Sequence, residues 1–112
     1  MTVTETFFSV EVEDMPRATA FYVGAFGALV AYSTPRWSSL RIAGVRLGLA
    51  FSPGHAHGRV GLHFAVRDIP ATCAEVERAG GRVVEPKIEV APGVVQAWVV
   101  DTEGNSFALS QG

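Results

Sequence analysis

Three histidines, two tryptophans and a single cysteine carry most of the side-chain chemistry open to this chain. A histidine can donate, accept or titrate near neutral pH, and His63 is the best placed of the three. It sits in the alternating run Leu62-His63-Phe64-Ala65, so it shares one strand face with Gly61 and Ala65. Glu11, in the similar run Phe8–Val12, suits a cationic group on a ligand or a pairing with Arg41. Trp37 and Trp98 offer flat faces on which an aromatic molecule can stack. His55-Ala56-His57 places two metal-capable side chains on one side of an extended chain. No third ligand is near in sequence and the surroundings are glycine-rich, so a solvated loop is expected there. Cys73 falls on an apolar helical stripe and reads as core. No phosphate-cradling glycine loop and no serine nucleophile elbow occurs.

The elements that must position these residues occur twice. Phe7–Gly27 aligns with Gly61–Gly81, matching Val12 with Val66, Asp14 with Asp68, Pro16 with Pro70 and Gly27 with Gly81. Each copy opens with period-two alternation, which marks a strand with one buried face. Asp-x-Pro follows, an N-cap with proline in the first helical turn. The helices then run to Gly27 and to Gly80-Gly81, with Phe21, Ala25 and Leu29 on the first stripe and Ile69, Cys73, Val76 and Ala79 on the second. Strand-like runs come next: Leu29–Ser33, Trp37–Ile42 and Val45–Phe51, then Arg82–Glu85, Val94–Asp101 and Ser106–Ser110. The expected order is strand, helix and three strands, twice, in a single domain over 1–112. Module one covers about 5–51, a linker 52–59, and module two about 60–110.

Strand parity assigns faces. Phe8, Val10, Val12, Leu62, Phe64 and Val66 should pack under the helices, as should Leu40, Ile42, Leu47, Leu49 and Phe51. Phe7, Ser9, Glu11, Trp37, Arg41 and His63 then occupy the opposite face. Val94–Val100 is apolar on both faces, so parity alone does not orient Trp98.

Composition bounds the remaining options. Of 112 residues 48% are apolar and only 18% charged, which excludes a disordered chain. The net charge of −2 comes without a basic block, so no nucleic-acid partner is expected. One cysteine excludes an internal disulfide and a cysteine-cluster metal site, and it is compatible with the cytoplasm. MTVTETFF lacks a basic region before an apolar run, so no secretory signal is expected. The uncharged stretch between Arg17 and Arg36 reads as a buried helix leading into a strand, with no membrane span.

Four motifs together, Val12–Tyr22 (VEDMPRATAFY), Val66–Ala74 (VRDIPATCA), Gly80–Pro86 (GGRVVEP) and Asp101–Leu109 (DTEGNSFAL), carry a family likeness. The chain resembles the vicinal oxygen chelate superfamily, the glyoxalase/bleomycin-resistance/dioxygenase fold. The resemblance implies an α+β fold of two βαβββ modules, forming curved half-barrel sheets around a cavity with helices on the outer face. It also implies that metal-dependent members hold their ion at the positions of Phe7, Gly48, Gly61 and Ala108. None of these four can ligate, so no metal and no cofactor is expected. The branch most similar is the metal-free, bleomycin-resistance type, which implies small-molecule binding and possible antibiotic sequestration in the cytoplasm. The rival expectation is an enzyme of lyase/isomerase or dioxygenase type, using His63 and Glu11 or an unforeseen metal site. A member with no small-molecule role is the third. The candidate ligand-binding residues are Phe7, Ser9, Glu11, Trp37, Arg41, His63 and Trp98, with a small, aromatic-tolerant organic ligand and a homodimer as partners. Thr102 and Glu103 replace the Pro and Asp usual in the family's last turn, a change expected to matter little there.

Overall fold

Two aspartates start the two helices. Asp14 accepts from the Arg17 amide at 3.0 Å and Asp68 from the Ala71 amide at 2.9 Å, each with proline in the first turn. In this computed structural model, which describes residues 1–111, the elements are β1 (Phe8–Val12), α1 (Met15–Phe26), β2 (Leu29–Ser33), β3 (Trp37–Ile42) and β4 (Val45–Phe51). The second module repeats them as β5 (Gly58–Ala65), α2 (Ile69–Arg78), β6 (Arg82–Ala91), β7 (Val94–Val100) and β8 (Asn105–Gln111). Helix α1 stops because Gly27 takes a left-handed conformation at φ 65°, which lets its amide return to Tyr22 and Val23 carbonyls.

Each module folds into its own four-stranded mixed sheet, in the order β1-β4-β3-β2 and β5-β8-β7-β6. The first strand lies parallel to the last, and the other pairs are antiparallel. The architecture is therefore α+β, with no closed barrel. One shared core joins the modules, and it includes Val12, Phe21, Tyr22, Leu40, Leu49, Val76, Val99, Phe107 and Leu109. Tyr22 of α1 stacks on Phe107 of β8 with ring centroids 6.2 Å apart, and Phe26 meets Phe64 at 4.6 Å. Cys73 is buried in this core, as its place on the α2 stripe implies, and burial, then the Glu77 charge, raises its thiol pKa. Among the described residues no helix is long and apolar enough to cross a membrane.

Several boundaries differ from the sequence reading. Strand β5 begins at Gly58, so the linker ends at His57, two residues short of Arg59. Strand β6 continues past Pro86 to Ala91, because register shifts let the proline sit in an irregular edge strand. The cap of α2 is Ala79, one residue before the glycine pair. Leu29 belongs to β2 and is 71% exposed, so the α1 stripe is completed by Tyr22 and Phe26. Phe8 and Phe51, expected to pack under the helices, are exposed although they lie in register with the buried Leu47 and Val12.

Candidate functional site

On β1 and β5 burial alternates, leaving Ser9, Glu11 and His63 exposed beside core-facing neighbours. On β7, Ala97 and Val99 are fully buried in the core, so Trp98 turns to the other face. Register then builds a row: His63 of β5 is paired with Ala108 of β8, and Ala108 with Trp98 of β7. Residues opposite one another on neighbouring strands share a face. The His63 and Trp98 rings meet edge to face at 6.3 Å, and the Arg59 guanidinium lies 4.0 Å from the Trp98 ring centroid. His63 is exposed and Trp98 half-buried. The result is a cation, an imidazole and an indole presented together on one sheet.

The first sheet carries a second constellation. Glu11, Ala50 and Trp37 form one row, and Ser9, Gly48 and Ser39 the next. Phe7 lies edge to face with Trp37 at 6.3 Å, while Arg46 sits 4.6 Å over the Phe7 ring and pairs with Glu5. Arg41 turns away and donates to the Gly44 carbonyl at 3.3 Å, so its pairing with Glu11 is not formed. Glu11 and His63 stand on different sheets and make no side-chain bond to one another.

The metal-binding positions implied by the family resemblance are Phe7, Gly48, Gly61 and Ala108. A Cβ at Gly48 would come within 2.2 Å of the Trp37 indole, which covers that position. Ala108 is fully buried between His63 and Trp98, and Phe7 and Gly61 carry no donor atom. The residues present do not fit a metal ion on these faces, since N, O or S ligands are required.

Two concavities lie nearby. One of about 580 Å³ opens at the seam between the modules, walled by Phe8, Phe26, Val45, Leu62 and Phe64, with His63 on its margin. The other, about 850 Å³, lies between α1 and the β2–β3 turn. His63 thus belongs both to the Trp98 row and to the apolar seam.

Sequence reasoning missed Arg59 and Arg46 as site residues. Arg59 falls within the expected linker 52–59, although two-residue steps back from His63 through Gly61 reach it. The last turn forms despite its substitutions, closed by the Asp101 amide on the Asn105 carbonyl at 2.9 Å, but the contacts of Glu103 were not legible. Glu103 is buried there and accepts from the Glu13 amide (2.8 Å), the Asp14 amide (2.9 Å), Arg17 Nε (2.7 Å) and Nη2 (3.1 Å), and Thr102 Oγ1 (2.8 Å). Burial pushes the Glu103 pKa up, but these donors outweigh it and hold the carboxylate at about 2. Beside it, Asp101 accepts from the Tyr22 hydroxyl at 2.6 Å and from the Asn105 side chain at 3.0 Å. Burial first, and then the Asp101 charge, raises the Tyr22 pKa well above its usual value. The substituted turn is therefore the bolt between modules. His55 also departs from expectation, being buried against Glu103 where a solvated loop was expected.

Residues 7–110 match the model of the glyoxalase-like domain. The chain matches no curated protein. Among solved structures it is similar to fosfomycin resistance protein FosX from Listeria monocytogenes, at 19% identity and TM-score 0.81, covering 100% of this chain and 95% of that one. A glyoxalase/bleomycin resistance protein/dioxygenase family enzyme from Burkholderia phytofirmans PsJN is similar at 17% identity and TM-score 0.77, covering 93% and 95%. A superfamily member from Sphaerobacter thermophilus is similar at 20% identity and TM-score 0.75, covering 96% and 98%. At these identities the structural likeness speaks for the fold.

Proposed function

The chain belongs to the glyoxalase-like domain family, and from that premise we propose that it binds a small, flat organic molecule beside His63 without a metal ion at the sheet face. The observation that carries this reading is the Arg59–Trp98–His63 cluster, which stands where metal-dependent members of the superfamily are expected to hold their ion. An indole face stacks an aromatic ring, and a guanidinium and an imidazole supply donors to polar or anionic substituents. Of the cluster only His63 also lines the apolar seam of about 580 Å³, whose other walls include the core-side Leu62 and Phe64. Trp37 with Phe7 and Arg46 gives the other sheet a related platform. Sequestration of an aromatic antibiotic in the cytoplasm, by a homodimer, is the role most in keeping with the bleomycin-resistance likeness.

A thermal-shift screen of aromatic natural products, followed by fluorescence titration, tests this reading. Losing one ring contact removes roughly 0.5–1.5 kcal/mol beyond the area lost. Trp98→Ala should therefore weaken a hit by about tenfold, since about 1.4 kcal/mol is a factor of ten. His63→Ala should stay folded, because Leu62 and Phe64 keep the apolar face of β5, and it should also lose affinity. Hits that bind Trp98→Ala, Trp37→Ala and His63→Ala as they bind the parent would overturn the assignment.

A further inference from the structure

We propose that Glu13, His55 and His57 form a divalent-metal site, apart from both sheet faces, that ties the inter-module loop to the β1–α1 junction. Glu13 Oε1 lies 3.7 Å from His55 Nδ1 and 3.4 Å from His57 Nε2, and the three ligand atoms all fall within 4.8 Å of one another. In a tetrahedral site with bonds of about 2.0–2.1 Å, two ligand atoms stand about 3.3 Å apart. Two of the three separations are therefore close to the required value before any ion arrives.

The surroundings of His55 supply the second argument. Its Nε2 lies 3.0 Å from the Glu103 carbonyl oxygen, in a buried contact. A neutral imidazole has one N–H, and giving it to Glu103 leaves a lone pair on Nδ1. That lone pair faces the Ser52 carbonyl at 3.1 Å and the Glu13 carboxylate at 3.7 Å. Electron-pair donors converge on one point, a position that a cation fills. Anchoring the far nitrogen of a histidine on a backbone carbonyl is also how metal sites orient their ligands.

The other two ligands are held as well. The His57 ring rests against Gly104, where a Cβ would come within 2.4 Å of it. The Glu13 amide is fixed by Glu103 Oε1 at 2.8 Å. Glu13 and His57 remain 41% and 63% exposed at their side chains, which leaves an entry path and room for a water as fourth ligand. Two imidazoles and one carboxylate suit Zn²⁺, Co²⁺ or Ni²⁺ better than the oxygen-seeking Mg²⁺ or Ca²⁺.

The test uses the full chain with any histidine tag removed. Co²⁺ is titrated and followed by its visible absorption, then displaced by Zn²⁺. The expected result is one ion per chain and a higher melting temperature with Zn²⁺. His57→Ala and Glu13→Gln change exposed side chains and should fold normally. Each should bind at least about tenfold more weakly, since even second-shell losses cost roughly 10–100-fold. Glu77→Gln, on the exposed side of α2, should bind as the parent does. No ion bound at millimolar metal, or binding unchanged in both ligand variants, would overturn the proposal and leave a proton on Nδ1 to fill the position.

Discussion

Glu103→Gln tests the joint between modules quantitatively. The substitution keeps the side chain's size but removes its charge and turns an amide NH₂ toward Arg17 or the backbone donors. Glu103 has a folded-state pKa of about 2 against an ordinary 4.5. At about 1.36 kcal/mol for each pKa unit, that gap corresponds to about 3 kcal/mol of stabilisation when the group is ionised. Arg17 is half exposed, so solvent screens part of this, and about 2–3 kcal/mol is the expected loss at pH 7. Because the folded pKa lies below the unfolded one, the contribution is complete above about pH 5 and fades as pH falls toward 2. The variant has no such proton to bind. Parent and variant should therefore converge, with the gap shrinking by about 1.5–2 kcal/mol between pH 5 and pH 3. Urea unfolding at one fixed protein concentration, followed by far-UV circular dichroism, reads both quantities. Other carboxylates titrate alike in the two proteins and cancel in the difference. A gap below about 0.5 kcal/mol at pH 7, or one that stays constant down to pH 3, would refute the reasoning.

Three further outcomes are expected. Tyr22→Phe removes the 2.6 Å bond to the buried Asp101 carboxylate while keeping the ring stack on Phe107, and should cost about 1.5–3 kcal/mol in the same unfolding assay. Gly48→Ala drives a methyl into the Trp37 indole and should cost about 1–3 kcal/mol, most of it recovered in a Trp37→Ala background if that contact is the cause. The accessible surface of 6564 Å² exceeds the roughly 5,900 Å² expected of an 11.9 kDa monomer, and Phe7, Phe8, Leu29 and Tyr32 lie exposed, so sedimentation should find a dimer at micromolar concentration. A stable monomer at that concentration would contradict it.

Local interactions made much of this protein readable before folding is considered. Period-two alternation assigned the faces of β1, β3, β4 and β5, because side chains alternate in any strand whatever it packs against. Asp14 and Asp68 announced their helices because a cap bonds three residues ahead. Gly27 marked the end of α1, since a left-handed turn favours glycine. The orientation of Trp98 was not readable, because both faces of β7 are apolar and only the shared core selects Ala97 and Val99 for burial. Arg59 meets Trp98 through a fold that returns β7 and β8 beside β5. Glu103 reaches Arg17 across 86 residues and Tyr22 reaches Asp101 across 79. His55 and His57 likewise acquire Glu13 from over 40 residues away. No composition or spacing encodes such meetings. They follow from the packing of α1 against the second sheet, where burial of Tyr22, Phe26, Phe64 and Phe107 sets how the two modules dock.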